Sequence, residues 1–447
     1  LGKSSITLAA LKVLRAKKLF KKALVVAPLR VCYSVWPAEV EKWQDFAGFK
    51  VVVLHGKDKE QRLREDADLY VINPEGLGWL LDATKTTTGF TGKVKVSVDL
   101  KRWEALGFDT LIIDELSKFK HTNTQRFKTL KQVLPTFARR WGLTGSPAAN
   151  GLMDLFGQAY VLDLGRSFGK YITHFRTQYF HPGPDGFSWV LNAGAEPLIY
   201  ERLGPLALRM SAKDYLELPE LVENLIKVTL PPDVMRIYRQ VEDDFIAQVG
   251  EGTVVASSAA VASAKCRQVA NGGVYWTDFE PGHPRRTAHL HDAKVDALED
   301  LIEELQGQPL LVAYEFEQDL ERIKARLGKE TPHIGGGVSA KKAKEIIDRW
   351  NRGEIKVLLG HPGSIAHGVN LQGAAQHICW FAQTWNYEHD DQFTRRIWRQ
   401  GTRATRVFVH RIIAERTIDL DILRALKRKA KGQEALFQAV KEMRERR

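Results

Sequence analysis

Two adjacent carboxylates, Asp114 and Glu115, follow the apolar run Leu111, Ile112, Ile113 and precede Leu116, Ser117 and Lys118. A short β-branched run bounded by polar residues has the pattern of a strand buried on both faces, and open parallel sheets place their chemistry at the C-terminal ends of such strands. One carboxylate can hold a hydrated Mg²⁺. Its neighbour, turned differently as the chain leaves the strand, can orient or deprotonate a water that attacks a phosphate. An Asp-Glu pair is also compatible with a solvated loop opening at a strand end, so its meaning depends on what else in the chain asks for a metal and a phosphate.

Gly2, Lys3 and Ser4 ask for both. They lead into Ser5 and then Ile6, Leu8, Ala9, Leu11 and Leu14 at helical spacing. Gly-Lys-Ser entering a helix is the closing part of a phosphate-binding loop: backbone N–H groups at the helix N-terminus attract phosphate, the lysine reaches its outer oxygens, and the serine ligates Mg²⁺. The chain opens on Leu1, so the native start and the earlier glycines of such a loop are expected upstream. Near the other end, Gln392 precedes Arg396 and Arg399, whose three-residue spacing puts two guanidinium groups on one helical face. Arginines supplied from a second body spread the charge of a transferring phosphoryl group and make hydrolysis depend on closure; a basic solvated helix is the plainer reading of the same residues. Thr144, Gly145, Ser146 and Pro147 end a further strand. They read either as a plain turn or as hydroxyls that relay nucleotide state to a bound strand.

These groups need a scaffold of strands and helices. Apolar runs at 23–27, 51–54, 69–72 and 111–113 alternate with helical patterns, as in parallel βαβ units. Residues 82–98, rich in Thr, Gly and Lys, read as an exposed loop or hairpin, and an aromatic-rich helical insertion covers about 154–200. Leu216 to Leu230 looks like an extended crossing between lobes, and a second insertion follows over about 231–290. From Lys294 a second series begins: helix 294–305, strand 310–314, helix 317–327, strand 333–334, helix 340–351, and strands at 357–359, 377–381 and 407–413. The expected division is 1–205, 206–425 and a basic helix over 426–447 whose apolar stripe docks on the second lobe, its charges being either solvated or in contact with phosphate.

Composition agrees with two soluble domains. The 447 residues exceed one ordinary core, and no apolar run is long enough to span a bilayer. Cys32, Cys266 and Cys379 are far apart in apolar surroundings and read as buried thiols in a reducing compartment. The histidines His283, His289, His291 and His333 lack ligand-like spacing. A net charge of +12 favours a polyanionic partner.

Between the last strands lie Gly368, Val369, Asn370, Leu371 and Gln372, then Trp385 and Asn386, then Gln392, Arg396, Arg399 and Gly401. In collinear order with Gly-Lys-Ser, Asp-Glu and Thr-Gly-Ser-Pro, this set resembles the ATPase motor of superfamily 2 helicases, in its SNF2-like branch and a compact phage or bacterial style. The resemblance implies an α/β fold of two RecA-like parallel-sheet lobes with helical insertions and a basic C-terminal helix. It implies that Gly2, Lys3 and Ser4 form the phosphate loop and that Ser4 and Asp114 hold Mg²⁺. It implies that Glu115 activates water, that Gly368 and Gln392 serve the nucleotide, and that Arg396 and Arg399 reach ATP across a cleft. Thr144, Gly145, Ser146, Asn370 and Trp385 would couple to or contact DNA. The chain departs from the family at Ser117 and Trp398, where many relatives carry His. With ATP and Mg²⁺ as cofactors, the expected function is ATP-driven translocation on double-stranded DNA in a bacterial or host-cell cytoplasm. A strand-separating helicase on DNA or RNA, and a non-catalytic nucleic-acid clamp, are the alternatives.

Overall fold

The computed structural model describes residues 2–88, 93–183, 188–208, 218–243, 246–249, 252–255, 258–276, 286–365, 369–399, 402 and 404–445. The chain divides into two compact units: Leu1–Ser211 together with Lys429–Arg447, and Ala212–Arg428. No helix among the described residues is long and apolar enough to cross a membrane.

The first unit is built on five strands: β1 (Ala23–Val26), β2 (Val51–Val53), β3 (Leu69–Ile72), β4 (Thr110–Asp114) and β5 (Arg139–Leu143). They form one sheet in the order β2-β3-β1-β4-β5, and every pairing is parallel. Side chains alternate across it. Leu24, Val26, Leu111 and Ile113 enter one apolar cluster, while Ala23, Val25 and Ile112 enter the other with Leu8 and Leu11 of the helix Lys3–Ala16. A sheet buried on both faces is why β1, β3 and β4 read as unbroken apolar runs. Thr84–Thr88 and Lys93–Ser97 pair as an antiparallel hairpin. The aromatic insertion packs Phe156, Phe168, Phe175, Tyr179 and Tyr200 together, with Leu436 of the C-terminal helix among them.

The second unit has six strands: β6 (Glu220–Val228), β7 (Leu310–Ala313), β8 (His333–Ile334), β9 (Val357–Gly360), β10 (His377–Trp380) and β11 (Arg406–Ala414). Their order is β6-β11-β10-β7-β9-β8, again entirely parallel. Both units are therefore parallel-sheet α/β folds. The segment expected as a crossing is instead the edge strand β6, in nine-residue register with β11. The helix Ala259–Asn271, capped by Ser258, lies within the second insertion.

The C-terminal helix also differs from expectation. It runs continuously over Ile418–Glu445. Ile422, Leu423 and Leu426 pack in the second unit, but Leu436 is buried in the first. The apolar stripe is therefore not docked on the second lobe alone. The aromatic cluster of the insertion supplies a second apolar surface that the helical spacing could not announce.

A buried polar network holds the second unit's helices to its sheet. Lys294 is fully buried and pairs with Asp419 at 2.7 Å. It also donates to Asn271 Oδ1 at 2.9 Å. Asn271 donates to Asp319 Oδ2 at 3.1 Å, whose carboxyl burial pushes up to about 6. His291 donates from Nε2 to the Val269 carbonyl at 3.0 Å and accepts from the Ala293 N–H at 3.2 Å. Both ring nitrogens are thus occupied in the neutral form, which burial favours by lowering the pKa to about 4.

Removing one partner of a buried ion pair strands the other without compensation. Lys294→Met is therefore expected to destabilise the second unit by about 3–5 kcal/mol, read as a lower urea midpoint for its unfolding transition.

Candidate active site

The chain leaves β4 abruptly. Asp114 is its last residue and Glu115 adopts a left-handed conformation with φ 65° and ψ 64°. Such a conformation costs about 1–3 kcal/mol for a non-glycine residue. Two small residues admit the segment that follows. A Cβ on Gly142 of β5 would lie 2.3 Å from Leu116 Cδ2, and one on Gly157 would lie 2.5 Å from the Phe119 and Lys120 carbonyl oxygens.

Asp114 is 8% exposed. Burial raises its pKa, opposed by the charge of Lys3, by the indole N–H of Trp36 and by the Glu115 backbone N–H. Trp36 Nε1 donates to Asp114 Oδ2 at 3.2 Å. Lys3 Nζ lies 3.8 Å from Glu115 Oε1. Gly2, at φ 61°, caps the helix Lys3–Ala16, so Lys3 and Ser4 stand in its first turn, where backbone N–H groups have no intrahelical partner. The structure thus brings Lys3 to both carboxylates. The oxygens of Ser4 and Asp114 suit Mg²⁺, which prefers hard oxygen ligands, takes one or two from protein and retains water.

The turn after β5 is closed by its own hydroxyl. The Ser146 N–H donates to Thr144 Oγ1 at 3.2 Å, Ser146 is buried, and Gly145 is exposed. Beyond it, the Ala148 N–H donates to Gln433 Oε1 at 3.2 Å, and Gln158 donates to the Pro147 carbonyl at 2.6 Å. The plain-turn geometry is present, held from two sides.

In the second unit, Asn370, Gln392, Arg396 and Arg399 come together. Arg396 donates from Nε to the Gln392 carbonyl at 3.0 Å and from Nη1 to the Val369 carbonyl at 3.1 Å. Arg399 Nη1 donates to Asn370 Oδ1, and partial burial lowers the Arg399 pKa. Gln392 is buried and donates to Glu388 at 3.1 Å. Its helix, Tyr387–Thr394, is capped by Asn386, which accepts from the Glu388 and His389 N–H groups. The same helix is fastened by Asp390, whose oxygens meet both terminal nitrogens of buried Arg411 at 2.8 and 3.1 Å. Trp385 stands apart. It donates to Ser263 Oγ at 3.1 Å and lies against the cluster of Ile422 and Leu426. Gly368 lies outside the described residues.

Sequence reasoning missed Trp36, Asp390, Arg411 and Gln433 as supports. The helical spacing of Trp36, Glu39, Val40 and Trp43 marks the tryptophans only as core anchors, and Arg411 lies within an apolar strand, where a charge itself signals a buried partner.

A carboxylate whose folded pKa is raised contributes stability that is present at low pH and is lost as pH rises through the folded value. Metal-free, nucleotide-free protein should therefore gain stability from Asp114→Asn, by about 1.4 kcal/mol for each tenfold by which folding tightens the hold of this carboxylate on its proton. Melting curves should show that gain at neutral pH and its disappearance toward pH 3.8, the ordinary Asp value.

Residues 1–272 match the SNF2-related domain and residues 293–401 the helicase conserved C-terminal domain. A protein designated p41 of Acyrthosiphon pisum secondary endosymbiont phage 1 is 31% identical over 99% of this chain and 93% of its own length. The CHD3-type chromatin-remodeling factor CHR7 of Arabidopsis thaliana is 24% identical over 91% of this chain, which spans 32% of that relative. A solved Sulfolobus solfataricus SWI2/SNF2 ATPase core in complex with dsDNA aligns over 99% of this chain and 90% of its own, with 21% identity and a TM-score of 0.40. The match across both units, with a relative at 31% identity over nearly the whole chain, means that this chain belongs to the SNF2-related family of helicase-like ATPases.

Proposed function

We propose that this chain hydrolyses ATP, that duplex DNA stimulates the reaction, and that the hydrolysis cycle moves the protein along DNA. The observation that carries this reading is the grouping of Lys3, Asp114 and Glu115 at the C-terminal end of β4, beside the N-terminus of the helix Lys3–Ala16. Lys3 and the N–H groups of that helix bind the phosphates, and Lys3 exchanges Glu115 for a phosphate oxygen as it does so. Ser4 and Asp114 would hold the Mg²⁺ that accompanies the nucleotide, which would supply positive charge to the phosphate oxygens. Glu115, released by Lys3, orients the attacking water and accepts its proton.

Arg396 and Arg399 supply the remaining positive charge. They belong to the second unit, so hydrolysis becomes conditional on how that unit is held, which is the coupling a translocase requires. Asn370 and Gln392 hold these arginines, and the turn at Thr144–Ser146 reports nucleotide state toward DNA. The excess of 66 basic over 54 acidic residues and a relative named for chromatin remodelling support DNA as the partner. Contact chiefly with phosphates gives little sequence preference.

Glu115→Gln should lower kcat by about 10²–10⁴-fold while ADP binding persists. Arg396→Ala should lower it by about 10³-fold or more, again with nucleotide retained. Steady-state hydrolysis with and without duplex DNA decides the rest: a rate that DNA leaves unchanged, or full activity in Glu115→Gln, overturns the proposal.

The C-terminal helix makes a separate prediction. Lys427, Arg428 and Lys431 are exposed, whereas Lys429 is half-buried, donates to Asn150 at 3.4 Å and has its pKa lowered by burial. Replacing the three exposed residues with Gln should reduce the slope of log affinity against log salt by about 0.9 for each phosphate they would otherwise neutralise, equally for all duplex sequences. An unaltered slope assigns them to surface charge.

A further inference from the structure

We infer that the helix Trp36–Lys42 is a brace for the nucleotide site, with Trp36 and Glu39 as positioning residues that hold Asp114 and the phosphate-loop helix in one fixed arrangement. The inference rests on the reading of Asp114 and Ser4 as the groups that hold nucleotide-bound Mg²⁺.

Two hydrogen bonds one helical turn apart carry it. Trp36 Nε1 donates to Asp114 Oδ2 at 3.2 Å. Glu39 Oε2 accepts from Ser5 Oγ at 2.7 Å and from Trp43 Nε1 at 3.0 Å. Ser5 adjoins Ser4 in the first turn of the helix Lys3–Ala16. A single short helix therefore grips the strand that ends in the carboxylate and the helix that begins with Lys3 and Ser4.

The chemistry of each partner suits this task. The indole N–H is a neutral donor, so it fixes the rotamer of Asp114 without cancelling the charge a cation needs. It engages Oδ2 and adds no charge to the site. Trp36 is itself immobile: it has no exposed surface and packs with Leu8, Leu11, Val25, Cys32 and Val71. Phenylalanine would fill most of that space, so packing alone does not require an indole; the N–H does. Mg²⁺ demands near-ideal octahedral geometry, and partners that orient its ligands are typically worth about 10–100-fold in affinity.

The test uses the full chain, with Mn²⁺ as a paramagnetic stand-in for Mg²⁺. Free Mn²⁺ is titrated in the presence of ADP by electron paramagnetic resonance, alongside melting curves of the metal-free protein. Trp36→Phe is expected to weaken Mn²⁺ binding about tenfold or more and to raise the Mg²⁺ concentration for half-maximal hydrolysis, with kcat recovering in excess Mg²⁺. Glu39→Ala, on a half-exposed helix position, is expected to act in the same direction and decides the question if Trp36→Phe does not fold. A lower melting temperature with Mn²⁺ affinity within about twofold of the parent makes Trp36 and Glu39 packing residues only and overturns the brace. Should the parent itself neither bind Mn²⁺ with ADP nor hydrolyse ATP, the ATPase reading fails and the brace with it.

Discussion

A carboxylate buried at the end of an apolar strand is costly unless donors and cations are built around it, and the first unit is arranged to supply them to Asp114. The topology does the arranging. β1 lies beside β4 in parallel register, with Val26 opposite Ile113. The helix that enters β1 must begin at the C-terminal edge of the sheet, and the segment that leaves β1 must depart from that same edge. The first delivers Lys3 and the second delivers Trp36. Neither residue is near Asp114 in sequence; both are near it because one strand is shared.

Much of this was legible because burial on both faces leaves an unmistakable trace. β1, β3 and β4 are unbroken apolar runs, and the helices Glu317–Leu327 and Ala340–Asn351 begin and end where their patterns do. The Asp-Glu pair was legible for a related reason, since polar residues at the end of such a run stand at the sheet's C-terminal edge. β6 was not legible. It is an edge strand with charged, exposed residues at Glu220, Glu223 and Lys227, and its partner β11 lies about 186 positions away. The helix Ala259–Asn271 was hidden by small residues, which carry little periodic contrast, although Ser258 as its cap was a usable signal. The hydrogen bond from Trp36 had no sequence signature at all, because a tryptophan that packs and a tryptophan that donates occupy the same helical position.

The second unit uses buried charge differently. Lys294 with Asp419 and Arg411 with Asp390 are both enclosed pairs, and such pairs are weak sources of net stability but hold geometry tightly once formed. Arg411 locks the helix Tyr387–Thr394, and that helix leads directly into Arg396 and Arg399. These arginines meet neutral acceptors, the Val369 and Gln392 carbonyls and the Asn370 side chain. A carbonyl can aim a guanidinium without neutralising it, and charge locked by charge at Arg411 supports the helix that leads into Arg396 and Arg399.

The end of β4 carries two local costs of its own. Burial opposes a charge on Asp114, and Glu115 keeps a backbone conformation that non-glycine residues avoid. A fold selected for stability alone would neutralise the first and replace the second with glycine. Under the proposed function, a phosphate-bound cation would remove the penalty on Asp114, and the phosphate would compete with Glu115 for Lys3. On that proposal the cost of burying Asp114 lies where a bound cation would relieve it, and the hydrogen bond from fully buried Trp36 restrains the carboxylate until then.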